Sequence, residues 1–134
     1  MLVTMKKRVI FLVAGLFLGM SVLMAQGVPE GVVGAFRKGN SQELSKYLGD
    51  KVDLTIVDKS ASADKRKTGE AMAAFFSAHK VSGFQVHHQG KRDESGFFVG
   101  TLTTASGNFR VNCFFRKVQN KSVIHQIRID KTNE

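Results

Sequence analysis

The C-terminal half of the sequence contains four consecutive segments in which apolar and polar residues alternate. These segments are residues 83–90, 96–104, 108–118 and 121–130. Residue types that favour hairpin turns separate them, in KRDESG, Ser106-Gly107 and Gln119-Asn120. The pattern predicts a four-strand antiparallel meander, and such a sheet must bury one of its faces against another layer.

Two short helices are predicted before this meander. Pro29 can open the first, because its missing N–H has no helical partner in a first turn, and Gly39 can end it. Ser41 is a suitable N-cap for the second helix, which would carry Tyr47 on its apolar face and end at Gly49.

A strand and a third helix complete the predicted elements. Residues 51–58, KVDLTIVD, alternate as in a half-buried strand, and a polar stretch follows at 59–67. Thr68 can cap a helix over residues 68–80. The order α-α-β-α-β-β-β-β predicts an α+β fold, with the N-terminal helices and one further helix packed on a curved, mostly antiparallel sheet.

Residues 1–25 have the features of a secretory signal peptide. The basic cluster Lys6-Lys7-Arg8 precedes the uncharged run VIFLVAGLFLGMSVLM, and Ala25 follows it. The run is shorter than the roughly 20 residues that cross a bilayer. We therefore expect one domain over residues 26–134, exported to the periplasm or the exterior, without a transmembrane segment once the signal is removed. The only cysteine is Cys113, so a lipoprotein is not expected.

The net charge of +9 overstates that of the mature chain, because the signal peptide removes three cations and leaves +6. The remaining basic residues concentrate in DKRK, GKR and RKVQNK, which we interpret as turns or segment edges. Aromatic residues do not interleave with them, as a nucleic-acid groove would require. No nucleic-acid partner is predicted; attraction to an anionic glycan or membrane surface is the alternative.

Three stretches carry a resemblance to a known family. TGEAMAAFF (68–76) and the order of elements resemble the nuclear-transport-factor-2-like cone fold, also called cystatin-like. AFRKGNSQELSKYLGDKVDL (35–54), GTLTTASGNFRV (100–111) and HQIRIDK (125–131) are similar to a family of short secreted bacterial proteins of unknown function within that superfamily. The resemblance implies a small sheet-lined cavity and frequent dimerisation, and it implies no activity.

The adjacent pair His87 and His88 is the most conspicuous candidate metal site. Neighbouring side chains of a regular strand point to opposite faces. His88 would then share a face with Phe84 and Val86, and the two imidazoles could bind one ion only across a bulge. No metal site is predicted, because further ligands are also missing.

Pairing Thr104 with Phe109 divides the meander into two faces. The predicted core face contains Phe98, Gly100, Leu102, Phe109, Val111, Cys113 and Phe115. The other, mixed face contains Phe97, Val99, Thr101, Arg110, Asn112, Phe114 and Arg116. Cys113 is expected to pack as a small hydrophobic residue.

The register of His125 stays open at this point. A two-residue turn at Gln119-Asn120 would align His125 with Phe114 on the mixed face, whereas a three-residue turn would align it with Phe115 in the core. A histidine in this setting is either a hydrogen-bonded structural residue or a ligand or proton carrier.

A catalytic interpretation is the alternative function. His125 or Asp53 could act as a base in an isomerase or hydrolase of small molecules, with Tyr47 as hydrogen-bond donor, and Tyr47 and His125 are therefore the candidate pocket residues. However, Asp53 alternates away from the apolar positions of its strand and is expected to face solvent. The chain contains no phosphate loop, dinucleotide fingerprint or Gly-x-Ser-x-Gly, so no cofactor is predicted.

The mixed face has the composition of a protein interface, apolar at the centre and polar at the rim. Its candidate interface residues are Phe97, Val99, Arg110, Asn112 and Phe114. The alternative is a second layer covered by the chain's own N-terminal segment. The sequence thus favours a non-catalytic binding or interaction protein that forms a homodimer through its sheet and holds a small apolar or anionic molecule in the cone.

Overall fold

The computed structural model describes residues 29–132, so the predicted signal peptide lies outside the described residues. Three helices and six strands follow one another along this part of the chain. They are α1 (Glu30–Lys38), α2 (Ser41–Ser45), β1 (Leu48–Ile56), β2 (Lys59–Asp64), α3 (Lys65–Ala78), β3 (Val81–Arg92), β4 (Ser95–Thr104), β5 (Gly107–Val118) and β6 (Lys121–Thr132). Over residues 29–132, no helix combines the length and apolar character needed to span a membrane.

The six strands form one sheet in the order β2-β1-β6-β5-β4-β3. All neighbours are antiparallel except β1 and β6, which are parallel. The buried apolar residues of all three helices belong to the same hydrophobic cluster as one face of the sheet. This arrangement confirms the predicted α+β class with helices on one face of a mostly antiparallel sheet.

Phenylalanine rings occupy the space between the helices and the sheet. Phe36 of α1 is fully buried, and its ring centroid lies 6.0 Å from Phe76, 5.4 Å from Phe84 and 5.9 Å from Phe98. The predicted core face is confirmed, since all seven of its residues are buried. Cys113 is one of them, and burial raises the pKa of its thiol well above the usual value, as expected for a residue that packs as a small hydrophobe.

The polar stretch 59–67 contains a strand and a helix start that the sequence did not predict. Strand β2 pairs with β1 through a turn at Val57 and Asp58, both with positive φ. Asp64, not Thr68, caps α3, because its Oδ1 accepts the backbone N–H of Lys67 at 2.7 Å. The predicted order therefore lacked one strand. The strand was missed because β2 lies at the sheet edge and buries only Ala63, which leaves no apolar alternation to recognise.

The first helix matches its prediction, and the second does not. Gly39 ends α1 in the left-handed conformation, with φ 63°. The N-cap of α2 is Asn40 instead of Ser41, and its side chain accepts the N–H groups of Gln42 and Glu43 at 3.1 Å. The helix ends at Ser45, and Gly49 lies inside β1 instead of ending a helix. The chain leaves the helix early because the backbone joins the sheet, where Ile124 N–H donates to the Tyr47 carbonyl at 2.7 Å.

The β4–β5 hairpin has the predicted faces with different partners. Thr104 pairs with Gly107 across a turn at Ala105 and Ser106, so the predicted pairing with Phe109 is wrong by two residues. The Thr104 hydroxyl fixes this turn, donating to the Gly107 carbonyl at 2.7 Å and accepting the Ser106 N–H at 3.1 Å. A shift of two residues preserves the side-chain alternation, which explains why the two faces were still predicted correctly.

Candidate functional site

The sheet face turned away from the helices is the candidate functional surface, and we call it the open face. Within residues 29–132, none of the helices packs on it. Its central residues are those of the predicted mixed face, because Phe97 pairs with Phe114, Val99 with Asn112 and Thr101 with Arg110. The five candidate interface residues are therefore contiguous. Whether they form an interface stays a prediction.

A β-bulge in β3 brings both neighbouring histidines onto the open face. The register changes from Val86 opposite Gly100 to His88 opposite Val99, so His87 is the extra residue. His87 Nε2 lies 2.7 Å from Thr101 Oγ1, which belongs to the open face. The prediction that the two histidines diverge, with His88 beside Val86, is therefore wrong. No group of three or more His, Cys, Asp or Glu suited to a metal ion occurs between residues 29 and 132.

A second bulge determines the position of His125. The turn at Gln119-Asn120 contains two residues, both with positive φ, as type I′ hairpin turns require. Of the two registers that the sequence left open, the two-residue turn is therefore the one that forms. The pairing then changes from Phe115 opposite Ile124 to Phe114 opposite Gln126, with His125 as the extra residue. Its ring lies 6.4 Å from that of Phe114 on the open face.

The environment of His125 favours its neutral form. Burial lowers the pKa of His125 most strongly, and the Arg116 guanidinium lowers it further, whereas the Asp53 carboxylate opposes both. Asp53 is exposed, as predicted, and lies opposite Gln126 on the same face. A His–Asp pair is thus present on the open face, with the carboxylate as the weakest of the three influences on the histidine.

Tyr47 does not join this pair. It lies on the helix side of the sheet, partly buried against the core, and a Cβ added to Gly31 of α1 would collide with its phenol. His125 lies on the opposite face, beside Phe114. The two candidate pocket residues are therefore separated by the sheet, and Tyr47 cannot donate a hydrogen bond to a substrate held by His125.

An aromatic cluster, formed by Phe97, Phe114 and His125, lies across three central strands of the open face. Phe97 covers Gly90 of β3, where any Cβ would strike its ring. Phe97 and Phe114 are stacked, with ring centroids 6.2 Å apart and an interplanar angle of 29°. All three residues are half-buried, so each keeps exposed apolar surface that a partner could cover.

A polar groove of about 720 Å³ lies beside the aromatic cluster. Eight residues from four strands line it: His87, His88, Val99, Thr101, Arg110, Asn112, Arg128 and Asp130. Arg128 Nε donates to Asp130 Oδ2 at 2.9 Å. Two guanidinium groups and one carboxylate therefore line the groove.

Sequence reasoning did not single out Arg128 and Asp130 of this groove, and it placed His87 and His88 on opposite faces. Arg128 and Asp130 alternate with buried Ile127 and Ile129, and this period of two could have identified them once the register was known. The alternation of residue types could not show that His87 and His88 share a face, because the bulge at His87 interrupts the alternation.

A protein-family model, described as a domain of unknown function (DUF4783), matches residues 29–130. The chain belongs to the DUF4783 family. The crystal structure of a DUF4783 protein from Bacteroides uniformis is 76% identical, covers 80% of this chain and 99% of its own, and gives a TM-score of 0.78. The crystal structure of a DUF4783 protein from Bacteroides ovatus, 62% identical in sequence, covers 81% of this chain and 99% of its own, with a TM-score of 0.79.

The DUF4783 fold is nuclear-transport-factor-2-like, as the sequence resemblance implied. A structure from Streptomyces avermitilis, described as a putative dehydratase of the NTF2-like family, matches with a TM-score of 0.58. It covers 78% of this chain and 91% of its own at 10% identity, so the likeness concerns the fold alone. No curated protein matches the chain.

Proposed function

We propose that this protein is an exported, non-catalytic interaction module that forms a homodimer through the aromatic cluster of its open face. The observation that carries the proposal is the half-buried Phe97–Phe114 stack at the centre of a sheet face that no described helix covers. Single exposed apolar residues are common on protein surfaces, but a contiguous group surrounded by polar residues is typical of an interaction site.

The surroundings of the aromatic cluster support an interface. Protein interfaces bury aromatic residues at the centre and arginine or other polar side chains at the rim. Asn112 and Arg116 lie two residues from Phe114 on the same strand and face, and Arg110 lies beyond Asn112. The resemblance to nuclear-transport-factor-2-like proteins, which implies frequent dimerisation, supports the same proposal.

Two observations support a non-catalytic role over the alternative of a small-molecule isomerase or hydrolase. Buried phenylalanine side chains occupy the helix side of the sheet, where a sheet-lined pocket would form. The His125–Asp53 pair lies on the other side of the sheet from the phenol of Tyr47. A catalytic base needs a second group within hydrogen-bond reach of the same substrate, and Tyr47 does not provide it.

Export to the periplasm or exterior is part of the same proposal. It is supported by the basic cluster, the apolar run and Ala25 at the start of the sequence. The buried Cys113 thiol also suits an oxidising compartment, because burial protects it and one cysteine cannot form an intrachain disulfide.

The dimer can be tested by multi-angle light scattering of residues 26–134 across a range of concentrations. We expect twice the mass of a single chain for the wild type, and a single-chain mass for Phe114→Glu, because the new carboxylate would have to lose its hydration at the centre of the interface. Val118→Glu is a matched control, since it adds the same charge to an exposed position of the same strand. A monomeric wild type, or equal dissociation by both variants, would contradict the proposal.

A further inference from the structure

We propose that the polar groove is a binding site for a small polar molecule that carries an oxyanion group, with Arg110 and Arg128 as the anion-binding side chains. The groove lies beside the aromatic cluster and shares Val99, Arg110 and Asn112 with the polar surroundings of the proposed interface. The inference goes beyond the proposed dimer, because it concerns a small ligand and not a second copy of the chain. Oxyanion here means phosphate, sulfate or carboxylate. Each of these groups presents two oxygens that can accept paired hydrogen bonds from one guanidinium group.

The two arginines are within reach of one anion. Arg110 of β5 lies opposite Asp130 of β6, and Arg128 lies opposite Asn112. Arg110 and Arg128 are therefore diagonal neighbours on one face, with backbones separated by roughly 7–8 Å. Long side chains span this distance, so both guanidinium groups can point to one ligand held above the strands.

Both guanidinium groups keep unused donors. Arg128 uses its Nε–H for Asp130, which leaves the N–H groups of its two terminal nitrogens free for a ligand. Arg110 makes no ion pair or side-chain hydrogen bond with the residues at positions 29–132. The donors of the Arg110 guanidinium are therefore available to an anion from solution.

The one carboxylate in the groove does not neutralise it. Asp130 compensates one of the two arginines, so the pair of guanidinium groups retains a net positive charge. The Arg128–Asp130 contact is also exposed, with 57% and 38% of the two side chains accessible. Such pairs contribute little to stability, so a ligand anion can share or replace the carboxylate without a large cost.

The neutral lining suits the remainder of a small polar ligand. Thr101 and Asn112 can exchange hydrogen bonds with hydroxyl groups, and His87 is oriented by its 2.7 Å contact with Thr101. Val99 supplies one apolar surface between them. The volume of about 720 Å³ lies within the roughly 300–1,000 Å³ typical of small-molecule sites.

The test is an NMR titration of the protein, expressed from the full sequence, with inorganic phosphate and with sulfate at constant ionic strength. We expect saturable shifts of the arginine Nε–H resonances of Arg110 and Arg128. Arg110→Gln and Arg128→Gln should each weaken binding roughly tenfold, the effect of removing a charged hydrogen-bond donor. Asp130→Asn should strengthen it several-fold by removing the competing carboxylate.

Arg92→Gln is the matched control, because it removes an exposed arginine from the end of β3, in the same sheet but outside the groove. Unchanged affinity in this variant is the expected result. Equal weakening by Arg92→Gln, or shifts that do not saturate, would mean general attraction to a basic protein and would overturn the assignment.

The source of the oxyanion is tested by comparing D-glucuronate with D-glucose and by adding vesicles that contain phosphatidylglycerol. Binding of glucuronate without binding of glucose would support a small soluble acid. Binding to the vesicles alone, with no response to any of the soluble anions, would overturn the proposal in favour of a membrane surface.

Discussion

The two faces of the sheet are built from alternating residues of the same strands, yet they differ in what covers them. In β4, Phe98 is fully buried beneath α1, whereas its neighbour Phe97 is half-exposed on the open face. In β5, buried Val111 and Cys113 alternate with Arg110 and Asn112. The helix-covered face concentrates the packing that stabilises the fold, and the open face is therefore free to carry polar and aromatic residues.

The largest expected effect on the free energy of unfolding comes from replacing a phenylalanine by alanine on each of the two faces. Phe98→Ala should lower the free energy of unfolding by about 3–5 kcal/mol, since it opens a cavity among Phe36, Phe84 and Phe115. Phe97→Ala should cost only about 1 kcal/mol, because its ring is already partly hydrated. Urea denaturation measures both.

The Phe98→Ala variant risks not folding, given total stabilities of roughly 5–15 kcal/mol for domains of this kind. Phe98→Leu retains most of the volume and keeps the comparison measurable. Equal destabilisation by the Phe97 and Phe98 substitutions would show that the open face contributes to stability as much as the core does. It would contradict the claim that the helix-covered face concentrates the stabilising packing.

Alternation of residue types made the faces of β4 and β5 predictable, although the register was wrong. Side-chain direction repeats every two residues, so the two-residue error in pairing Thr104 changed partners and not faces. Strand β2 could not be found this way. The residues KSASAD pair through their backbones at the sheet edge, and an exposed edge strand has no apolar period.

A second comparison concerns two glycines in neighbouring strands. A Cβ on Gly100 would approach the Gln85 carbonyl and the Phe84 ring too closely, whereas a Cβ on Gly83 would meet nothing within 4 Å. Gly100→Ala should therefore destabilise the protein by about 1–3 kcal/mol, because Phe84 or the β3 backbone must move.

Gly83→Ala is the control for loss of glycine flexibility, and thermal denaturation of both variants is the measurement. We expect Gly83→Ala to be neutral or slightly stabilising, since it restricts the unfolded chain without a new clash. A neutral Gly100→Ala would contradict the close packing of Phe84 over β4 on the helix-covered face.

The candidate site was less predictable than the fold, because two bulges determine it. Each bulge inserts one residue into a strand and reverses the alternation beyond it, which brings His87 beside His88 and allows Ile124 and Ile127 to share the core. The inserted residue has no characteristic side chain, so the sequence does not mark it. The composition of the open face could be predicted, whereas the arrangement of its histidines depended on the backbone.

The smallest effect that we predict tests the electrostatics of the open face at His125. Because burial and Arg116 lower the pKa of His125, the folded state binds its proton less tightly than the unfolded chain does. Neutral His125 therefore contributes to stability at pH values above the pKa of the unfolded chain, near 6.5. This contribution is lost as the pH falls from that value through the lower pKa of the folded state. Urea denaturation of the wild type and of His125→Gln, measured at several pH values around and below 6.5, isolates the contribution of His125. Every other titrating group is common to both proteins.

We expect the free-energy difference between wild type and His125→Gln to become less favourable to the wild type as the pH falls below 6.5. Asp53→Asn should enlarge this loss and extend it to lower pH, because it removes the only one of the three influences that favours the imidazolium. If instead the wild type gained stability over His125→Gln with acidification, the Asp53 carboxylate would outweigh burial. The histidine would then be charged in the folded state, and an apolar aromatic cluster would no longer describe the centre of the open face.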